Sequence, residues 1–198
     1  RSNAKPFPET RNGPRVTSSM PGANVTALID GIEPASSSDY RVPRLSFHPH
    51  RGTTEWAQFE YEEPQVFRNA GVYWFDEAQA AASFRNENQE ILPKSWRILS
   101  WNDGQWNQVP LVENNPGTER DRFNQVTFKQ PVTTSKIRIE IDLHDKLSAA
   151  MLGCRFNTEA STTPAQPFSD PDKELKRFKK QAQQTLSADV DEIGRAHV

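Results

Sequence analysis

Phe47, His48, Pro49 and His50 bring a flat aromatic ring and two imidazoles together in one short run. An imidazole donates or accepts a hydrogen bond at either ring nitrogen, and an aromatic face stacks on an apolar ligand surface. At i, i+2 spacing on a strand the two histidines could also share a zinc ion. That option is remote, because no third ligand is near and Cys154, the only cysteine, reads as a small buried residue. Asp30 precedes Gly31, and the pair reads as a tight turn, since glycine accepts positive φ and aspartate bonds the local backbone. Asp30, Glu33, Glu55 and Asp76 show no arrangement that pairs an acid with a base. The chain has no G-x-S-x-G elbow, no H-E-x-x-H and no phosphate loop. The expectation is therefore a protein that is not an enzyme.

The elements that would position these residues follow from composition and pattern. At 198 residues the chain suits one full-sized domain with extensions. A net charge of -2 gives no global attraction to nucleic acid or an anionic membrane. No run of about 18 apolar residues is present, so no insertion into a membrane is expected. With 15 Pro and 34% apolar residues, many turns and exposed loops are expected rather than a large helical core.

Residues 1–15, which include a Ser-Asn-Ala string typical of a cloning remnant, read as a tag or linker. Val16 to Ser19 reads as a short strand, and the Ser- and Pro-rich stretch from Asn24 to Trp56 as a structured loop across one end of the fold. Gly52 to Glu77 reads as two strands joined by a turn at Glu62, Glu63 and Pro64, with Ala57, Phe59 and Tyr61 on one face of the first. The second is apolar on both faces near Val72, Tyr73, Trp74 and Phe75, which implies cover on both sides and a central place. Asn102, Asp103 and Gly104 lie between two strands and carry the residues of a type I′ hairpin turn. Phe123 to Gln130 reads as a strand and Pro131 to Ser135 as a turn. Ile137, Ile139, Ile141 and Leu143 then alternate with charged residues in the cleanest strand pattern of the chain. A last strand runs from Ala149 to Phe156.

Short strands with turn chemistry between them favour an all-β antiparallel sandwich over residues 16–157. Residues 158–169 read as a linker and 170–198 as a helical extension with Leu175, Phe178, Ala182 and Leu186 in a thin apolar stripe. The basic group Lys176, Arg177, Lys179 and Lys180 reads as a solvated face rather than a phosphate grip, since no glycine is interleaved with it. Of the tryptophans, Trp56, Trp74 and Trp96 read as packing, and Trp101 and Trp106 as partly exposed.

The strings WAQFEYEEPQVFRNAGVYWFDE and LPKSWRILSWNDGQWNQV, with the ALIDG segment at Ala27 to Gly31, resemble the galactose-binding-like β-sandwich of the coagulation factor 5/8 type C or discoidin group. More narrowly, ALIDGIEP, PRLSFHPHRGTTEW, VYWFDE, PKSWRIL, FNQVTF and TTSKIRIEI resemble the C-terminal accessory sandwich of glycoside hydrolase family 127 β-L-arabinofuranosidases. The likeness spans residues 20–156 and implies an eight-stranded jelly roll without catalytic residues of its own. It also implies a bacterial protein that is secreted, periplasmic or on the cell surface. The expected partner is a glycan, bound weakly at loops on one end; the alternative is a structural buttress or docking domain against a neighbouring catalytic domain. The two differ in what they should expose, since a buttress cut from its neighbour bares an apolar patch on a sheet face.

The resemblance also assigns residues. Phe47, His48 and His50 fall where glycan-binding relatives carry an aromatic-histidine pair. Arg85, Asn86 and Asn88 match loosely the donors and acceptors of such modules, and Phe84 supplies a second apolar face. Asp30 matches the calcium-loop aspartate, so structural Ca2+ is a candidate cofactor. The glutamate that the family adds from the last strand is missing here, where Leu152, Gly153 and Cys154 stand.

Overall fold

The strict Ile137, Ile139, Ile141 alternation becomes the centre of the fold, with all three side chains fully buried. In this computed structural model, residues 13–77, 88–113 and 115–157 are described. They form seven strands: β1 Arg15–Ser18, β2 Leu45–Ser46, β3 Thr54–Phe75, β4 Ser95–Asn102, β5 Gln105–Gln108, β6 Phe123–Asp142 and β7 Ala150–Phe156. A 3-10 turn, Val25–Leu28, buries Ala27 and Leu28. The linker and helix expected beyond residue 157 lie outside the described residues. Arg15, expected in the leading tail, belongs to β1 and pairs with Glu60 across the ladder.

All pairings between strands are antiparallel, in the order β2-β7-β3-β6-β4-β5 with β1 added on β3. β3 pairs with β1 through Ala57 to Glu60 and with β7 through Ala70 to Phe75. Its first half therefore lies in one layer and its second half in the other. Ala57, Phe59, Ile137, Ile139, Trp96 and Ile98 from the first layer join Val72, Trp74, Val126, Leu45 and Met151 from the second in a single apolar cluster. The architecture is an all-β antiparallel sandwich. Seven strands suffice where eight were expected because β3 and β6 each run through both layers.

That continuity corrects two expectations. The segment at Glu62 to Pro64 does not reverse the chain, since Glu60 faces Lys136 and Gln65 faces Thr134 on one antiparallel partner. Likewise Pro131 to Ser135 is not a turn; it lies inside β6. Between Glu60 and Gln65, β3 makes a four-residue excursion opposite Ser135, and between Val132 and Thr127, β6 makes one opposite Arg68. Each excursion holds a proline, Pro64 or Pro131. Proline lacks the ladder donor, so it sits where the ladder slips and strands cross from layer to layer.

The Asn102 to Gln105 hairpin forms as expected. Asp103 and Gly104 adopt φ of 53° and 75°, and Trp101 faces Trp106 across it. Two positive φ values in a two-residue loop define the type I′ turn, whose twist matches that of the flanking strands.

The second half of β3 is covered on both sides, as its sequence implies. Val72 and Trp74 enter the main core, while Tyr73 and Phe75 pack with Val42, Ala150 and Leu152 on the opposite face. The cover there is a strap, residues 32–44. Tyr40 meets Phe75 edge-on at 5.2 Å, and Arg44 lies 4.2 Å from the Phe75 centroid. The strap is fastened by Ser37, whose N–H donates to Asp121 Oδ1 at 2.7 Å while its carbonyl accepts the Asp76 N–H at 2.8 Å. The stretch expected across one end of the sandwich thus runs largely over its side.

The outer face of the first layer is polar. Arg97 bonds Glu140 and Asp142, and Arg15 and Lys136 both reach Glu60. Arg138 lies 4.2 Å from the centroids of both Trp56 and Trp106, a cation between two indole rings.

Candidate functional site

β2 leads out of the second layer into a turn in which the His50 N–H donates to the Phe47 carbonyl at 2.8 Å. The turn contains a cis His48-Pro49 bond. Phe47 does not present its ring to a ligand: it is 0% exposed and belongs to the main core. The reason is strand periodicity, since Leu45 and Phe47 fall on the same face. This corrects the stacking role expected of Phe47.

His48 is half-buried, with its N–H donating to Ser46 Oγ at 3.1 Å. Its ring Nε2 is buried and has no hydrogen-bond partner. A buried polar atom without a partner costs on the order of 1–3 kcal/mol, so such an atom calls for a reason.

His50 is held from behind. Its Nδ1 lies 2.7 Å from Glu55 Oε1, with side-chain exposures of 41% for the histidine and 6% for the glutamate. Glu55 also accepts from Thr53 Oγ1 at 2.8 Å and from Ser19 Oγ. Burial works to raise the Glu55 pKa, but the bonds from Ser19, Thr53 and His50 outweigh it and hold the carboxyl below its ordinary value. An ionised carboxylate only accepts, so Nδ1–H of His50 donates and the ring turns Nε2 outward. Gly52, at φ 62°, donates its N–H to the His144 carbonyl at 2.9 Å and passes 3.5 Å from Asp145 Cα with its missing Cβ position. That approach lets the His50 loop lie against the exit of β6.

Glu55 also sets an acid limb of stability. Its folded pKa lies below the ordinary 4.5, and bonds from Arg97, Ser95 and Thr54, against an opposing burial effect, bring Asp142 from 3.8 down to about 2. Both contributions are complete above the unfolded values and are lost as pH falls through the folded ones. The unfolding midpoint should therefore hold from pH 7 to about 5 and then drop toward pH 2. Thermal scans across that range should show a shallower drop in Glu55→Gln; an equal drop would remove Glu55 from the account.

Of the other expected site residues, Asn88 is exposed, and Phe84, Arg85 and Asn86 lie outside the described residues. Asp30 is exposed, and its Oδ1 accepts the Ile32 N–H at 2.9 Å beside Gly31 at φ 73°. This is the side chain to backbone turn that an Asp-Gly pair favours. Calcium takes roughly six to eight oxygens, and no group of three or more His, Cys, Asp or Glu is placed to hold an ion among the described residues. Leu152 and Gly153 are buried and bring no carboxylate.

Sequence reasoning missed Glu90. It is 3% exposed, accepts from Arg44 Nε at 2.8 Å and from Ser46 Oγ, and stands beside the site. Nothing local marks it, because its partners lie 46 and 44 residues away in sequence. Trp74 and Trp96 meet in the core, with ring centroids 5.8 Å apart, while Trp101 and Trp106 are half-exposed, as expected.

No family model and no curated protein matches the chain. Solved structures do match its fold. A chain of the Streptococcus pneumoniae β-galactosidase BgaA aligns with a TM-score of 0.53 and 14% identity, over 76% of this chain and 93% of that one. The module CpGH89CBM32-6 of Clostridium perfringens aligns at 0.51 and 10% identity, over 76% and 97%. Its companion CpGH89CBM32-5, solved in complex with GalNAc-β-1,3-galactose, aligns at 0.50 and 9%, over 73% and 95%. The chain shares the galactose-binding-like β-sandwich fold with these proteins.

Proposed function

We propose that this chain is a non-catalytic accessory module of a larger carbohydrate-active protein, and that it binds a glycan weakly at the loop end carrying His48 and His50. The observation that carries this reading is the 41% exposed His50 ring, one turn from His48 and aimed by a buried carboxylate that occupies its Nδ1. A sugar hydroxyl both donates and accepts, so it can bond the ring nitrogen that Glu55 leaves free. A module of the same fold, CpGH89CBM32-5, was solved with a galactose-containing disaccharide. The likeness of the ALIDGIEP, VYWFDE and TTSKIRIEI strings to the family 127 accessory sandwich supports an arabinofuranoside-acting neighbour.

The buttress alternative calls for a bare apolar sheet face. Among the described residues, one outer face lies under the strap and the other carries paired charges. The exposed large apolar residues are Ile29, Ile32, Tyr40, Val66 and Val112, which lie in and just before the strap, on β3 and in the segment after β5, rather than together on a sheet face. This distribution supports binding over buttressing.

Calorimetry with galactose- and arabinose-containing oligosaccharides tests the reading. Binding is expected, and His50→Ala should weaken it by about fivefold or more, the loss of one net hydrogen bond. No heat from any of them at millimolar concentration would remove the proposal.

A further inference from the structure

A second concavity lies apart from the histidine loop. An open groove of about 820 Å³ runs beside β4, β5 and the segment that follows them, within the roughly 300–1,000 Å³ of typical ligand sites. None of the residues lining it belongs to the His48 site. Lys94, Arg97 and Lys129 line it, against one carboxylate, Glu113. Arg97 is committed to Glu140 and Asp142, and Glu113 Oε2 accepts the Thr127 N–H at 2.9 Å. Lys94 and Lys129 are exposed and have no side-chain partner among the described residues. Two unneutralised ammonium groups thus border one groove on a chain of net charge -2.

The rest of the lining argues for a sugar rather than a nucleotide. Gln108, Asn115 and Thr118 supply amide and hydroxyl groups suited to ring hydroxyls, and Pro110, Leu111 and Pro116 supply apolar contact for a C–H face. No aromatic face is offered to a base, because Trp96 is 2% exposed and its Nε1–H is given to the Gly117 carbonyl at 2.8 Å.

We propose that this groove is a second saccharide site, selective for anionic sugars whose carboxylate or sulfate is held by Lys94 and Lys129. The proposal rests on the glycan-binding reading for the class of ligand and is independent of His48 for its place.

The full chain should be titrated with trigalacturonic acid, a sulfated galactose trisaccharide and neutral galactotriose. At least one anionic sugar should bind, with affinity that falls as salt rises. The double variant Lys94→Ala, Lys129→Ala should weaken that binding by about tenfold, the sum of two exposed charge contacts, and leave any galactotriose affinity unchanged. His50→Ala should leave the anionic sugar's affinity unchanged. Which anionic sugar responds distinguishes carboxylate from sulfate. Unchanged anionic binding in the double variant overturns the groove, as does loss of that binding in His50→Ala. If galactotriose binds in a His50-dependent way and neither anionic sugar binds at all, the groove fails and the loop site stands. Absence of binding by all three removes both.

Discussion

Trp74→Ala should lower the unfolding free energy by about 3–5 kcal/mol, the cost of emptying a large buried site. Trp74 is fully buried at the meeting of the two layers, edge-on to Trp96. The phenylalanine variants are more informative than alanine, because the two indoles differ in one atom's fate. Trp96 Nε1–H donates to the Gly117 carbonyl at 2.8 Å, whereas Trp74 Nε1 is buried with no partner. Trp96→Phe loses volume and strands a carbonyl. Trp74→Phe loses the same volume but removes an orphan donor, which recovers part of a penalty of about 1–3 kcal/mol. Urea unfolding should therefore find Trp74→Phe the milder of the pair. The reverse order would mean that the Trp74 indole finds a partner in solution.

Arg44→Ala should cost about 3 kcal/mol, at the lower end for breaking a buried ion pair because the arginine keeps some contact with water. The side chains of Arg44 and Glu90 are 28% and 4% exposed. Removing the guanidinium leaves a carboxylate that water barely reaches, with Ser46 Oγ as its remaining side-chain donor among the described residues. It also strips the cation from the Phe75 and Tyr40 rings, 4.2 and 5.6 Å away, and so loosens the strap. The paired replacement Arg44→Met, Glu90→Leu should be far less damaging than Arg44→Ala, since no charge is then left unmatched. Equal losses in the single and double variants would show that packing against Phe75, rather than charge, is what Arg44 supplies.

How legible each feature was depends on the range of the interaction behind it. The β6 core face and the Asp103-Gly104 turn are local, set by a two-residue period and by two positive φ values, and both were readable. So was the double cover on Tyr73 and Phe75, because a strand apolar on both faces must keep both away from water. The continuity of β3 and β6 through Pro64 and Pro131 was not. A proline marks a break in the ladder, but the partner strand decides whether the chain turns or only slips. Phe47 was misjudged from the company of two histidines, although the Leu45-x-Phe47 alternation pointed inward. The Glu55 cluster draws Ser19 from 36 residues away, and no spacing in the sequence records such a meeting.

The paired excursions in β3 and β6 also separate chain length from alignment. Each half of the ladder takes its register from its own side-chain alternation, Ala57 and Phe59 facing Ile139 and Ile137 in one half and Ala70 and Val72 facing Val126 and Asn124 in the other. Residues 61–64 and 128–131 are out of register with either half; Phe128 belongs to the core and Tyr61 packs against it, but extra residues placed between Glu62 and Pro64 would displace no core side chain. Glu62, Glu63 and Pro64 are exposed as well. The corner is thus a place for grafting, where a tag or a recognition peptide could be carried while both layers and the histidine loop keep their alignment.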